Sequence, residues 1–201
     1  MILLDPDLDP DPAESETSAG KVPSARTLSR FLAKTQAAVR VRGQVSVLLT
    51  TDAAVRRLNR RFLGKNKPTD VLSFPAEPIP GVRAAEQMAG DLAISVETAR
   101  RQGTACGHSL GIELKVLILH GLLHLAGYDH ESDSGRMARR EQALRSRLGL
   151  PTGLIERATM DGAARTRTSA LQRAGMPAVP KRLGKGTADS TTRRASRSAQ
   201  S

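Results

Sequence analysis

The chain has 201 residues, with 31 Lys and Arg against 20 Asp and Glu, which gives it a formal net charge of +11. With no Trp, one Tyr and three Phe, it lacks the aromatic platforms on which RRM and OB-fold modules stack bases, and such a module is excluded. Its single cysteine, Cys106, can form neither an intramolecular disulfide nor a Cys-rich zinc site, which fits a reducing compartment.

Charge and composition divide the chain into three predicted segments. Residues 1–25 carry a net charge of −5 and alternate Asp with Pro from Asp5 onwards, so we predict an acidic segment, preceded by an edge strand in its first four residues. Residues 26–150 carry +9 and hold the periodic patterns, which predicts one basic domain. Residues 151–201 carry +7 without sustained periodicity and are predicted to be a disordered basic tail. The basic balance favours a nucleic acid partner.

Hydrophobic periodicity predicts short strands interleaved with helices. The predicted strands are 1–4, 44–50, 70–74 and 91–96. The predicted helices are 27–41, 52–62, 97–102, 110–126 and 132–148. Pro75 is expected to terminate the third strand, residues 77–89 to form a loop, and residues 103–109 to form a turn. These patterns indicate a small α/β or α+β layered fold.

Two features of the sequence argue against a membrane location. The first residues are followed at once by Asp-Pro repeats and lack the basic and apolar regions of a signal peptide. The longest apolar run, residues 116–126, is too short for a bilayer, which needs about 20 residues. We therefore expect a soluble, cytoplasmic protein without a membrane partner.

Three of the four histidines lie within eleven residues. His120 and His124 are one turn apart in an otherwise apolar run, which predicts a buried helix with both rings on one face. A continued helix would place His130 about 240° around the axis from His124, so the helix must break between them. Gly127 can supply that break by adopting the left-handed conformation. The spacing therefore predicts that His120, His124 and His130 bind a single metal ion.

The three imidazoles favour zinc, with one Zn²⁺ expected per chain. Three protein ligands leave a fourth position for water, which is the catalytic arrangement, and the metal would lower the pKa of that water to about 7. Beyond this metal-bound water the sequence identifies no catalytic group. Asp70, Asp129 and Glu131 are candidates for a general base.

The histidine spacing matches the metzincin protease motif H-E-x-x-H-x-x-G-x-x-H, except that Gly121 replaces the catalytic Glu. Loss of that general base argues against peptide hydrolysis. A glycine inside a helix costs about 1 kcal/mol relative to alanine, so its presence needs an explanation. Gly121 either leaves space beside the metal or allows a neighbouring strand to pack closely. His108 is expected to be structural rather than a fourth ligand.

Several blocks of the chain resemble the YbeY family of bacterial endoribonucleases and rRNA maturation factors. The first is H-G-L-L-H-L-A-G-Y-D-H-E over residues 120–131, and the second is G-K-N-K-P-T-D-V-L-S-F-P over residues 64–75, preceded by Leu58-Asn59. Further similar blocks are G-D-L-A-I-S over 90–95, G-H-S over 107–109 and Glu113-Leu114. Together they cover about residues 27–150.

The resemblance implies a mixed four-stranded sheet with surrounding helices and zinc on the three histidines. It further implies cleavage of single-stranded RNA, late 16S rRNA 3′-end maturation and ribosome quality control, with rRNA of the small subunit and ribosome-associated proteins as partners. Leu63 stands where many members have an arginine linked to activity, and Asn66 where they have Asp. We expect Arg61, Lys65 and Lys67 to bind substrate phosphates, since cleavage of a polyanion needs nearby cations. Arg60 is a further source of that charge.

Two other functions remain open. One is a non-catalytic ribosome-assembly factor with a structural zinc, and the other is a metzincin-like hydrolase of another substrate, which Gly121 disfavours. For RNA cleavage, the nucleophile is either metal-bound hydroxide or a 2′-hydroxyl of the substrate.

Overall fold

A computed structural model of the protein describes residues 1–8, 20–129 and 133–152. The strands are β1 (Ile2–Leu4), β2 (Gln44–Thr50), β3 (Val71–Pro75) and β4 (Met88–Ser95). The helices are α1 (Ala25–Val39), α2 (Asp52–Leu63), α3 (Val96–Ala105), α4 (Leu110–Leu125) and α5 (Arg136–Leu148). Most of the predicted acidic segment and nearly all of the predicted tail lie outside the described residues.

The four strands form one mixed sheet in the order β1-β2-β4-β3. β1, β2 and β4 are parallel, and β3 pairs antiparallel with β4 at the opposite edge from β1. Leu92 of β4 pairs with Val47 on one side and with Ser73 on the other. The predicted α+β fold with a small mixed four-stranded sheet and surrounding helices is therefore confirmed.

The central helix of the core is α4. It packs against α1, α3 and α5 and against strands β3 and β4. Its apolar residues are buried on nearly every side, among them Leu117, Leu119 and Leu122, none of which is exposed to solvent. Burial of each such side chain contributes roughly 1.5–3 kcal/mol to folding, so the core holds this helix firmly in place.

Helices α3 and α5 differ from their predicted bounds. Ser95 ends β4 and its hydroxyl accepts a hydrogen bond from the Thr98 amide, so Val96 begins the helix rather than ending the strand. Gly103, predicted to start a turn, lies inside α3. The last helix begins at Arg136 rather than at residue 132, after Gly135 in the left-handed conformation.

The hairpin of β3 and β4 is longer than predicted. Pro75 is the last residue of β3 rather than its terminator, and it pairs with Gly90. Proline is tolerated there because β3 is an edge strand and no further strand needs its missing N–H. β4 correspondingly begins at Met88, inside the predicted loop.

No single helix in the described part of the chain is long and apolar enough to cross a membrane. Among the described helices, α3 and α4 would together be long and apolar enough for a span, but a bend of 111° separates them.

Candidate metal centre

His120 and His124 lie side by side on α4, as their spacing predicts. Their Nε2 atoms are 3.1 Å apart and their ring centroids 4.7 Å apart. His124 is 2% exposed, whereas the His120 side chain is 22% exposed. The pair therefore sits at the boundary between the core and solvent, with His120 on the accessible side.

The chain reverses directly after His124 through a Schellman motif at Gly127. Gly127 has φ +85°, its amide donates to the His124 carbonyl at 2.9 Å, and the Tyr128 amide donates to the Leu123 carbonyl at 3.0 Å. The predicted helix break at Gly127 is confirmed. It also brings the Tyr128 carbonyl back to the ring of His124.

The outer nitrogen of each ring faces an oxygen acceptor. His124 Nδ1 lies 3.0 Å from the Tyr128 carbonyl oxygen, and His120 Nδ1 lies 3.0 Å from Glu141 Oε2. A carbonyl or carboxylate oxygen only accepts, so each Nδ1 carries a hydrogen, and in the neutral form of each ring Nε2 keeps a lone pair. The two Nε2 lone pairs consequently face each other.

This arrangement fits a metal ion. Two lone pairs 3.1 Å apart repel unless a cation, a proton or a metal ion, lies between them. Zinc–nitrogen bonds of about 2.0–2.1 Å in a tetrahedral site place the two ligand atoms about 3.3 Å apart, close to the separation seen here. The two imidazoles are thus prepared as metal ligands by the hydrogen bonds on their other side.

The predicted third ligand, His130, lies outside the described residues. Within residues 1–8, 20–129 and 133–152, no group of three or more His, Cys, Asp or Glu side chains is arranged to hold a metal ion. The described chain therefore contributes two of the three predicted ligands, and the triad of His120, His124 and His130 stays a prediction.

Gly121 faces the sheet. A Cβ at this position would lie 2.7 Å from Leu92 Cδ2 and 3.3 Å from Ser73 Oγ. The Ser73 hydroxyl donates to the Gly121 carbonyl at 3.4 Å, which links β3 directly to the metal-binding helix. Of the two explanations for this glycine, the structure favours close packing of a neighbouring strand.

His108 and Asp70 serve local structure. His108 Nε2 lies 3.4 Å from the carboxylate of the fully buried Glu113, near the beginning of α4. His120 is ten residues along the helix from Leu110, about 15 Å, so His108 lies away from the histidine pair. The Asp70 carboxylate accepts from the Val71 amide at 2.8 Å and from the side chains of Thr69 and Gln102. Of the other candidate bases, Asp129 follows the helix break and Glu131 lies outside the described residues.

The predicted phosphate-binding residues lie at the end of α2 and in the loop that enters β3. Arg61 is exposed and its guanidinium lies 5.4 Å from the centre of the Phe62 ring, while Lys67 is exposed and Lys65 half-buried. Leu63, the substitute for the family's arginine, packs with Val55 in an apolar cluster. The loop precedes the strand that contacts Gly121, so both regions are attached to β3.

Sequence reasoning missed two residues that support these regions. Glu141 of α5 reaches His120 from 21 positions away, and no local pattern announces such a contact. Asn59 is fully buried and its amide donates to the Lys67 carbonyl at 2.6 Å. Asn59 belongs to the Leu58-Asn59 block that resembles the family, and this block was the one feature of the sequence that pointed to it.

Comparison with known proteins identifies the family. The family model described as Endoribonuclease YbeY matches residues 14–149. A protein named Endoribonuclease YbeY from Koribacter versatilis is 52% identical over 136 residues, which cover 68% of this chain and 85% of that protein. Another of the same name from Solibacter usitatus is 49% identical over 130 residues, covering 65% and 83%. The solution structure of TM1509 from Thermotoga maritima is 22% identical with a TM-score of 0.45, covering 74% of this chain and 89% of that one. The chain is therefore an enzyme of the endoribonuclease YbeY family.

Proposed function

We propose that the protein is a zinc-dependent endoribonuclease that cleaves single-stranded RNA, with one zinc ion held by His120, His124 and His130. The observation that carries the proposal is the pair of Nε2 atoms 3.1 Å apart, each left with a lone pair by the acceptor at its Nδ1. The names of the curated relatives supply the reaction class, endonucleolytic cleavage of RNA.

A bound zinc ion supplies a Lewis acid beside the scissile phosphodiester. The protein orients the two imidazole rings before the ion binds, through the Tyr128 carbonyl and the Glu141 carboxylate. Gly121 leaves no carboxylate at the position where metzincins carry their general base, which removes that route to peptide hydrolysis.

Cations near the end of α2 serve the polyanionic substrate. Arg61, Lys65 and Lys67 would contact phosphates and thereby hold the strand against the face that carries the histidines. The formal net charge of +11 also steers RNA towards the protein. We propose that the physiological substrate is 16S rRNA in the small subunit, matured at its 3′ end in the cytoplasm, which the family resemblance supports.

Metal analysis combined with an RNA cleavage assay tests the proposal. Purified wild-type protein should contain about one zinc per chain and should cut single-stranded RNA faster than duplex RNA. The His120→Ala variant should lose both zinc and cleavage, whereas His108→Asn, which removes a histidine away from the pair, should keep both. Retained zinc in wild-type protein without any metal-dependent cleavage would instead indicate a non-catalytic assembly factor.

The ends of the products distinguish the two nucleophiles. Attack by water leaves ordinary phosphate ends and works on a strand with a single 2′-deoxy substitution at the cleavage site. Attack by the neighbouring 2′-hydroxyl leaves a 2′,3′-cyclic phosphate and fails on that strand. Mass spectrometry of the products from the two substrates separates these routes.

A further inference from the structure

Glu141 connects α5 to the metal-binding helix. It is 9% exposed, and each of its two carboxylate oxygens has a different partner. Oε2 accepts from His120 Nδ1 at 3.0 Å, and Oε1 accepts from Arg145 Nε at 3.0 Å and from Arg145 Nη2. The result is a continuous chain of hydrogen bonds from Arg145 through Glu141 to His120.

The position of this carboxylate is unusual for its helix. α5 carries five arginines and a single acidic residue, and that residue is turned inward towards His120. Burying a charge costs desolvation free energy, and apolar packing of the same volume is often as stable as a buried ion pair. Stability alone therefore gives a weak reason for a glutamate here, and its contact with His120 gives a stronger one.

We infer that Glu141 is a positioning residue of the metal centre. Its carboxylate holds the hydrogen of His120 on Nδ1 and the ring in one orientation, so that Nε2 presents its lone pair to the ion. Arg145 fixes the orientation of Glu141 through two hydrogen bonds to the other oxygen. This inference rests on the proposed function, since it assigns Glu141 a role towards the metal proposed there.

The two histidines are oriented by different means. His124 is held by the backbone carbonyl of Tyr128, which a substitution of the Tyr128 side chain leaves in place. His120 is more exposed and depends on a side chain from another helix. Metal affinity should consequently respond to substitutions on α5, a helix that contributes neither histidine.

Zinc affinity measured by competition with a chromophoric chelator tests the inference on the full-length protein. We expect Glu141→Gln to weaken zinc binding by about 10–100-fold, the range found when a partner of a ligating histidine is removed. Arg145→Gln should weaken it by a smaller factor, because Glu141 remains in place but loses its support. Arg147→Gln, an exposed arginine on the same helix, is the matched control and should bind zinc like wild type.

A second readout reports the ring itself. In zinc-loaded wild-type protein, long-range ¹⁵N–¹H correlation spectra should show His120 with its hydrogen on Nδ1, and this signal should shift or broaden in Glu141→Gln. Thermal melting of the zinc-free proteins establishes that each variant is folded. If Glu141→Gln fails to fold, Arg145→Gln decides the question by the same affinity and spectra.

Two results would overturn the inference, and they differ in what they imply for the proposed function. Wild-type zinc affinity in Glu141→Gln, with binding lost in His120→Ala, would remove the role of Glu141 and leave the metal centre intact. Absence of zinc binding by wild-type protein would remove both.

Discussion

Gly127 determines where the ring of His124 points. The left-handed conformation at φ +85° lets the backbone turn back, so that the Tyr128 carbonyl meets His124 Nδ1 at 3.0 Å. Among the described residues beyond its chain neighbours, no atom lies within 4 Å of a Cβ built on this glycine, so a substitution there costs backbone strain without a clash with them. Its effect on the site can therefore be separated from an effect on packing.

Gly127→Ala and Gly107→Ala form a matched pair that tests this role. Gly107 closes α3 in the same way, with φ +71°, no atom within 4 Å of a Cβ, and the same two backbone hydrogen bonds. Each substitution should lower the free energy of unfolding by about 1–2 kcal/mol. Only Gly127→Ala should also weaken zinc binding, measured by chelator competition. Equal zinc affinity in the two variants would contradict the role assigned to the turn.

Some residues of the candidate site could be predicted from the sequence and others could not. The positions of His120, His124 and Gly127 follow from helical periodicity and the cost of a left-handed residue, and all three lie as predicted. Gly121 was open to two explanations, because a sequence does not say which strand faces a helix. Glu141 could not be found at all, since its contact with His120 depends on the packing of two helices rather than on their local sequence.

At the scale of elements, Asp52 joins the start of α2 to the start of α3. Its carboxylate accepts from the Ser95 and Thr98 hydroxyls and from Arg101 at 2.9 Å. Burial raises the pKa of the Asp52 carboxyl, but these hydrogen bonds lower it more, so the pKa lies below its usual value. A depressed pKa stabilises the fold above the pKa of the unfolded chain, and this contribution is lost as the pH falls through the folded-state pKa.

Asp52→Asn should therefore destabilise the protein near neutral pH by about 1–3 kcal/mol, the cost of hydrogen bonds to a charged group. Urea unfolding across a pH series measures the effect. The difference between wild type and variant should shrink as the pH is lowered through the acidic range, because protonation of Asp52 removes the same interactions. A difference that stays constant down to acid unfolding would show that the charge is not responsible.

Asn59 controls the loop between α2 and β3. Its buried side-chain amide donates to the Lys67 carbonyl, and its backbone carbonyl, which Asn59→Ala keeps, accepts from the Lys65 amide at 3.3 Å. Asn59→Ala should cost about 1–3 kcal/mol and raise amide hydrogen exchange in residues 64–69, because the Lys67 carbonyl loses its donor. Asn66→Ala, an exposed asparagine in the same loop, should leave exchange unchanged. Equal exchange in the two variants would show that the loop does not depend on Asn59.

The sequence predicted the type of each helix and strand, but it did not always predict where each one begins and ends. β2 lies as predicted, and α1, α2 and α4 end within two residues of their predicted bounds, because alternation and helical periodicity are strong in these segments. α3 begins one residue early because Ser95 acts as its cap, and it continues three residues past its predicted end to Ala105. β4 starts early because pairing with β3 extends it. Such differences arise from tertiary contacts that a single segment does not encode.

At the scale of the whole molecule, the net charge of +11 predicts an electrostatic contribution to RNA binding. For single-stranded RNA, the slope of the logarithm of the binding constant against the logarithm of the salt concentration falls by about 0.7 for each phosphate contact removed. The double variant Lys65→Gln/Lys67→Gln should therefore bind RNA more weakly and reduce the salt slope by about 1.4. Arg30→Gln/Lys34→Gln, on the exposed face of α1, removes the same charge elsewhere and is the control. An equal loss in both pairs would indicate a diffuse charge effect in place of a defined contact surface.

The fold class, the sheet and the family were accessible from the sequence, whereas strand order required the structure. Parallel pairing of β1 with β2 and of β2 with β4 brings segments far apart in the chain together, and no local signal sets that order. The histidine pair shows the same division, because both rings come from α4, whereas the carboxylate beside His120 comes from α5.

The most direct test of the proposed function is reconstitution of RNA cleavage with metal. Chelator-treated protein should be inactive on an end-labelled single-stranded RNA, and activity should return linearly with added zinc until one ion per chain is bound. His124→Ala should show no recovery at the same zinc concentrations. Cleavage that survives complete removal of metal, or that returns equally in His124→Ala, would contradict a zinc-dependent nuclease built on this histidine pair.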